Sequence, residues 1–399
     1  MRTALIFRER LLAPSETFII EQAKALRGYL PVLVGLRRSK HSLNHPLPEI
    51  LLRDGHGPVD QLAASLFRKF PIGRAFFRKL RATRPSIIHA HFAIDAMQAL
   101  PMARKLDLPL IVSLHGFDVT SNDRALGTSF AGRHFLENRD RLFREATAFI
   151  CVSRFIRDAA RKAGFPESKL RVHYTGIDCQ RFRPANIQRD PKLILFVGRL
   201  VEKKGCEFLL RAMAILRQHD PDAQVEIIGD GPLRGQLEAQ AASLSLRVSF
   251  RGVQTPEEVL RSMSRARVLC NPSVTAASGD MEGFGMVFAE AQAVGTPVVS
   301  FSHGAIPEVV DHGHTGLLCP EANVPALAKS LQKLLLDGQL WSSLSRRAPE
   351  WVMEHFDINK QTESLEALYD ECVANHRSSR LPQAELDECG LGRPNALGV

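Results

Sequence analysis

A chain of 399 residues, 45% hydrophobic and 24% charged, is long enough for two domains that each bury a core, and it holds no apolar run of membrane-spanning length. Its seven cysteines stand singly without a CxxC, which speaks against a disulfide framework or structural zinc and for a reduced compartment. The net charge of +9 is uneven: residues 1–190 carry 32 Lys and Arg against 17 Asp and Glu, and the remainder 20 against 26, so the first half expects an anionic partner.

The apolar run Thr3–Phe7 is too short for a signal peptide and predicts a first strand. Ser15-Glu16-Thr17 can cap a helix over Phe18–Arg27, and Tyr29–Leu36 predicts the next strand. From Leu62 to Pro85 there is no acidic residue, and Leu62, Leu66, Phe67, Phe70, Phe76, Phe77 and Leu80 alternate with seven Lys and Arg. Pro71 and Gly73 break this stretch into two helical pieces. Basic amphipathic pieces with Phe and Leu on one face can lie in a membrane interface; for the apolar residues the protein's own core is expected before that alternative, and for the cations an anionic surface. The apolar runs Ser86–His91, Leu110–Leu114, Ala148–Val152 and Leu170–Tyr174 alternate with helical patterns, which predicts a parallel, doubly wound sheet. The polar stretch Asn186–Asp190 reads as a linker.

The alternation then restarts. Strands are predicted at Leu193–Val197, Val225–Ile228 and Val248–Phe250. Helices are predicted at Gly205–Gln218, Pro232–Ser243 and Pro256–Ser264, the last capped by Thr255. After the apolar run Ala266–Cys270 comes a polar loop, then Gly283-Phe284-Gly285 opening an Ala-rich helix that Gly295-Thr296-Pro297 stops before Val298–Ser300. Helices Val324–Leu336 and Leu340–His355 follow, and Asn359–Val373 can fold back on the first domain. The expected organisation is a first domain at 1–185, a second at 191–356, a returning helix at 357–376 and a disordered tail at 377–399. Two α/β domains in series face each other across a cleft at their strands' carboxyl ends, where such sheets bind ligands.

Chemistry-bearing residues gather at those strand ends. Arg199 and Lys204 follow Leu193–Val197 and can clamp a phosphate. Glu282 and Glu290 are eight residues apart; continued as one helix, they would share a side about 12 Å apart along the axis, with helix N-terminal amides between them to meet an anion. The spacing Gly229-Asp230-Gly231…Gly235 is not a dinucleotide fingerprint and reads as a structural turn. His115 can serve as a proton shuttle or donor at the end of Leu110–Leu114. His89 and His91 share a strand face with each other, but three histidines on two strands make a weak metal set.

GRL-x-EKKG, GDGPL and the Glu282-to-Glu290 stretch EGFGMVFAEAQAVGTPVV, preceded by HGFD and TGIDCQRFRP and followed by HGAIPEVV and HTGLL, resemble the retaining glycosyltransferases of family 4, over about residues 1–375. PSETF and IIHAHFA are similar to the subgroup that builds bacterial exopolysaccharides, near the colanic acid and amylovoran galactosyltransferases. The resemblance implies an α/β GT-B fold: two Rossmann-like doubly wound domains across a cleft, with a C-terminal helix returning to the first. It implies that Arg199 and Lys204 bind a donor diphosphate, the Gly285 and Met286 amides meet sugar or phosphate, Glu282 holds sugar hydroxyls, Glu290 holds the ribose and His115 sits beside the reacting carbon. Ser15 and its neighbours stand where many members carry Gly-Gly after the first strand. His303-Gly304-Ala305 stands where two glycines are common.

The expected activity is hexose transfer from a nucleotide sugar, UDP-hexose before GDP-mannose, to a membrane lipid-linked oligosaccharide. No metal, other cofactor or nucleic acid is expected to take part, and the location expected is the cytoplasmic face of the plasma membrane, held by the basic first domain. The alternatives are a soluble acceptor or a nucleotide-sugar binder without turnover.

Overall fold

The computed structural model describes residues 1–13, 16–40, 42–71 and 73–378; Ser15 and residues 379–399 of the expected tail lie outside the described residues. Two parallel sheets organise the chain. The first joins β1 (Arg2–Leu11), β2 (Tyr29–Arg38), β3 (Glu49–Leu51), β4 (Pro85–His91), β5 (Leu110–Leu114), β6 (Ala148–Cys151) and β7 (Leu170–Val172) in the order β3-β2-β1-β4-β5-β6-β7. The second joins β8 (Leu193–Val197), β9 (Gln224–Ile228), β10 (Val248–Gly252), β11 (Val268–Cys270), β12 (Val298–Phe301) and β13 (Gly316–Cys319) in the order β10-β9-β8-β11-β12-β13. In each, the strand order reverses beside the domain's first strand, so a crevice opens at the carboxyl ends there.

The continuous apolar character of the strands follows from burial on both faces. Along β1, Leu5 and Phe7 point into one cluster with Phe67, Phe77 and Leu100. Ala4 and Ile6 point into another with Ile19, Ile20, Leu365 and Tyr369. The second cluster is closed by the last helix, Ile358–Ser378, which returns from the far domain. That helix runs past the expected end at 376, so Arg377 and Ser378 are helical rather than part of a tail.

The chain crosses between domains twice, and the crossings bond to each other. Ile177 N donates to Phe356 O at 2.7 Å and Ile358 N to Ile177 O at 2.9 Å. The end of the expected linker is no loose tether: the Arg189 guanidinium donates to Val294 O at 2.7 Å and Ala266 O at 3.0 Å, carbonyls that end two second-domain helices.

Two local expectations are corrected. Glu16 precedes the helix Thr17–Ala25 but makes no cap; its carboxylate is drawn to the Arg8 guanidinium and also accepts from Ala13 N at 3.2 Å. The break near Pro71 and Gly73 is real, giving helices Pro58–Lys69 and Arg74–Ala82, and Phe67, Phe76, Phe77 and Leu80 are buried. Leu62, Leu66 and Phe70, however, are 60%, 50% and 61% exposed. The first helix is apolar on two faces, and only the face carrying Ala64 and Phe67 meets the core.

Leu365 is fully buried under the first sheet. Leu365→Ala is expected to lower stability by about 2–5 kcal/mol, read as a lower urea midpoint at unchanged slope.

Candidate functional site

The two domains meet through loops at the strand ends. After β5 the chain turns at His115-Gly116, and Asp118 holds that turn: its carboxylate accepts from Gly116 N at 3.0 Å, His115 N at 3.2 Å and Ala93 N at 3.0 Å. From the other side comes the loop between β11 and the helix Met286–Ala293. Gly283 lies so close to the His115 carbonyl that a Cβ there would collide with it. Met281 N donates to Thr120 Oγ1 at 3.2 Å, and Ser153 Oγ to Gly283 O at 2.7 Å. Glu308 of the second domain accepts from Arg154 N and Phe155 N, both at 2.8 Å, and so caps a first-domain helix that already begins on Ser153.

Within this contact Glu282 is buried, and Lys204 Nζ lies 2.5 Å from its Oε2. Burial acts to raise this carboxyl, but Lys204 and Lys203 outweigh it and bring it down to about 2. Glu282 is therefore ionised and can only accept hydrogen bonds. The helix begins after Gly285, as the sequence predicts, so the step from Glu282 to Glu290 is not helical throughout. Gly285 adopts φ +85, a left-handed turn, and Glu282 stands in the loop before it. The two carboxylates consequently do not stack on one helical side. Glu290 lies inside the helix Met286–Ala293, and Glu282 lies in the loop before it, paired with Lys204.

Glu290 and Met286 line a cavity of about 240 Å³ between the domains. Its other walls include Thr17, Phe18 and Glu21 of the first domain, Arg181 of the crossing and Gln254 and Val259 of the second. Burial raises the Glu290 carboxyl to about 7, against Arg181. Arg199 is exposed and its guanidinium has no partner among the described residues. Its backbone is nevertheless fixed: Gly198 N donates to Ile228 O and Leu200 N to Asp230 O, both at 2.9 Å. The GDGPL turn thus holds the arginine loop in place.

Across the cleft, His115 is packed by Phe18 at 4.9 Å and Phe92 at 4.6 Å between ring centroids. Its Nε2 is 3.0 Å from His91 Nδ1. His91 stacks on His89, which bonds Tyr369 Oη at 2.6 Å and Ser113 Oγ at 2.7 Å. Burial, then Arg8 and His89, push His115 well below its ordinary value, so it is neutral at neutral pH. The three histidines hydrogen-bond and stack with one another and their neighbours, and no group of three His, Cys, Asp or Glu among the described residues could hold a metal.

Sequence reasoning missed a charged knot behind this site. Arg8, at the end of β1, pairs with Glu16 and with Asp95 at 2.5 Å and lies over the Phe92 ring at 4.3 Å. Its members stand at positions 8, 16 and 95 and belong to no short motif, and Arg8 shares β1 with Arg2, Glu9 and Arg10, so nothing in the strand singled it out. Gln254 and Arg181 were missed for the same reason. Ser15 lies outside the described residues.

A family model of glycosyl transferases group 1 matches residues 180–351, and one of Glycosyltransferase Family 4 matches residues 15–181. The amylovoran biosynthesis glycosyltransferase AmsK of Erwinia amylovora is 34% identical over 289 residues, 68% of this chain and 70% of that protein. The putative colanic acid biosynthesis glycosyltransferase WcaL of Escherichia coli K12 is 32% identical over 293 residues, 71% of this chain and 70% of that protein. Among solved structures, Anabaena Alr3699/HepE in complex with UDP and glucose aligns over 93% of this chain and 100% of its own, at TM-score 0.72 and 21% identity. Sucrose-phosphate synthase from Thermosynechococcus elongatus aligns over 94% of this chain and 100% of its own, at TM-score 0.76 and 21% identity.

Because Glu282 is lowered from 4.5 to about 2, its pairing stabilises fully above pH 4.5 and is lost as pH falls toward 2. Lys204→Met should remove about 3–5 kcal/mol at pH 7 by stranding a buried carboxylate. The double variant Lys204→Met/Glu282→Gln should recover most of that loss, as measured by urea unfolding.

Proposed function

The chain belongs to the family 4 glycosyltransferases and has their GT-B fold, and on that premise we propose that it transfers a hexose, with retention, from a nucleoside diphosphate sugar to a membrane lipid-linked oligosaccharide in exopolysaccharide assembly. The observation that carries this is the interdomain cavity lined by Glu290 and Met286, beside the ionised Glu282 and its lysine. The exopolysaccharide role rests on the AmsK and WcaL relatives. UDP-hexose is placed before GDP-mannose because HepE is solved with UDP and glucose.

In this reading Glu290 accepts hydrogen bonds from the ribose hydroxyls. The amides of Gly285 and Met286 and the Arg199 guanidinium receive the diphosphate. Lys204, at the base of the same loop, adds its charge to the developing phosphate anion while keeping Glu282 ionised. Glu282 accepts from hydroxyls of the transferred sugar. His115, neutral and fixed by His91, faces the sugar from the first domain. The bond between the anomeric carbon and the leaving diphosphate oxygen breaks. The acceptor hydroxyl oxygen bonds that carbon on the same face and passes its proton to the departing oxygen. Neither carboxylate is required as nucleophile, and the charge task is assigned to Arg199 and Lys204 rather than to a metal. The acceptor's lipid tail sits in the inner leaflet of the plasma membrane, and the basic first domain faces it.

A thermal-shift panel of UDP- and GDP-sugars identifies the donor, since ligand binding raises the melting temperature by mass action. Arg199→Ala and Glu282→Ala should each lower transfer by a factor on the order of 10² or more; transfer at wild-type rate in both would sink the assignment. With Glu290 raised to about 7, the free protein must lose a proton there before the ribose binds. Affinity for the nucleoside diphosphate should therefore weaken below pH 7, by up to about tenfold per pH unit. Glu290→Gln should bind weakly at every pH, without that slope, in a calorimetric titration.

A further inference from the structure

The helix Pro58–Lys69 carries an apolar stripe that no described part of the chain covers. Val59, Leu62, Leu66 and Phe70 recur at intervals of three, four and four residues, which places them on one side of the helix, and they are 64%, 60%, 50% and 61% exposed. Exposed large apolar side chains elsewhere in the described residues are scattered; here four share one face, and such clustering marks an interaction surface rather than the ordinary remainder of an apolar composition.

The neighbouring helix supplies a charge argument for what covers it. Helices Pro58–Lys69 and Arg74–Ala82 pack against each other through Phe67, Phe76 and Phe77, with centroids 5.9 and 6.2 Å apart. The outward face of the second helix is basic: Arg74, Arg78 and Lys79 are exposed and have no carboxylate partner among the described residues. Residues 61–94 contain no Asp or Glu. The loop joining the helices is tied down by Lys105, whose Nζ lies 4.4 Å from the Phe77 ring centroid and 3.4 Å from Pro71 O. A second copy of this chain would bring cation against cation. A surface of fixed negative charge over an apolar interior matches both features at once.

We infer that the outer face of this helix pair docks on an anionic lipid bilayer, with the stripe from Val59 to Phe70 entering the interface and the Arg74–Ala82 cations at the headgroup phosphates. The inference rests on the lipid-borne acceptor proposed above and specifies how the protein meets it. The chain leaves β3 at its carboxyl end, the cleft side of the sheet, and enters the apolar helix at Pro58. Docking through this face therefore sets the rim of the cleft beside the membrane, where a sugar carried on a lipid can enter while its tail stays in the bilayer.

The test is flotation of the full chain with vesicles of phosphatidylcholine, or of phosphatidylcholine mixed with phosphatidylglycerol. The wild type should float with the mixed vesicles and far less with the neutral ones, and added salt should weaken it. Leu62→Ser/Leu66→Ser/Phe70→Ser should lower the partition coefficient by about tenfold or more. Arg78→Glu/Lys79→Glu should lower it by about fivefold per cation or more and flatten the salt dependence. Equal flotation of wild type and variants overturns the inference, as does absence of flotation on both vesicles. So does a wild-type dimer that the serine variant converts to a monomer in size-exclusion chromatography, since the stripe would then belong to a second copy. All three proteins should show the same nucleotide-sugar thermal shift. If none shows one, the donor reading fails while the flotation result stands on its own.

Discussion

A buried carboxylate that stays ionised is the constraint around which the cleft is arranged. Glu282 has left water, and a lone carboxylate in such a place would take up a proton. Lys204 prevents this from the opposite loop, at the end of a different strand of the same sheet. The pair ties the strand-end loop after β8 to the loop after β11 on the floor of the cleft. It also makes that floor sensitive to charge. In the proposed reading, a diphosphate arriving beside Lys204 adds negative charge next to Glu282, and Arg199, exposed and without a partner among the described residues, helps Lys204 to answer it.

The second domain's loop reaches the first domain through backbone as much as through side chains. Gly283 lies against the His115 carbonyl, Met281 bonds to Thr120, and Glu308 completes the cap of a helix that belongs to the other domain. These contacts hold the cleft closed on one side of the cavity. On the other side the two crossing segments bond to each other at Ile177 and Phe356. Opening of the cleft would break the first set and bend the second, so the geometry of the site and the mobility of the domains are set by the same few residues.

Much of this was legible in the sequence because parallel strands covered on both faces must be continuous apolar runs. That is why the strands from β4 to β6 and β8 to β12 could be read within a few residues, and why the cations after β8 could be placed at that strand's carboxyl end. The short strands escaped for physical reasons. β3 is three half-buried residues on an edge, and β13 begins at a glycine; neither makes a run distinguishable from a loop. Periodicity also misled in two places. It measured the step from Glu282 to Glu290 as if along one helix, whereas the left-handed Gly285 turns the chain between Glu282 and the helix start. It assigned Leu62, Leu66 and Phe70 to the core, because an apolar pattern shows which residues share a face but not whether anything lies opposite. The Arg8, Glu16 and Asp95 knot was out of reach, since its parts are joined only by the fold.

The return of the last helix to the first sheet has a consequence for how the protein is made. The strands that carry Ala4, Ile6, Ile87 and Ile111 are translated before the second domain, but the residues that cover them, Leu365, Tyr369 and Val373, come after it. On the ribosome the first domain is therefore synthesised first and completed second, whereas residues 191–356 hold every strand of their own sheet and can fold while the ribosome is still working. Until the final helix emerges, one face of the first sheet lacks its cover and is a natural surface for a chaperone, or for a neighbouring nascent chain.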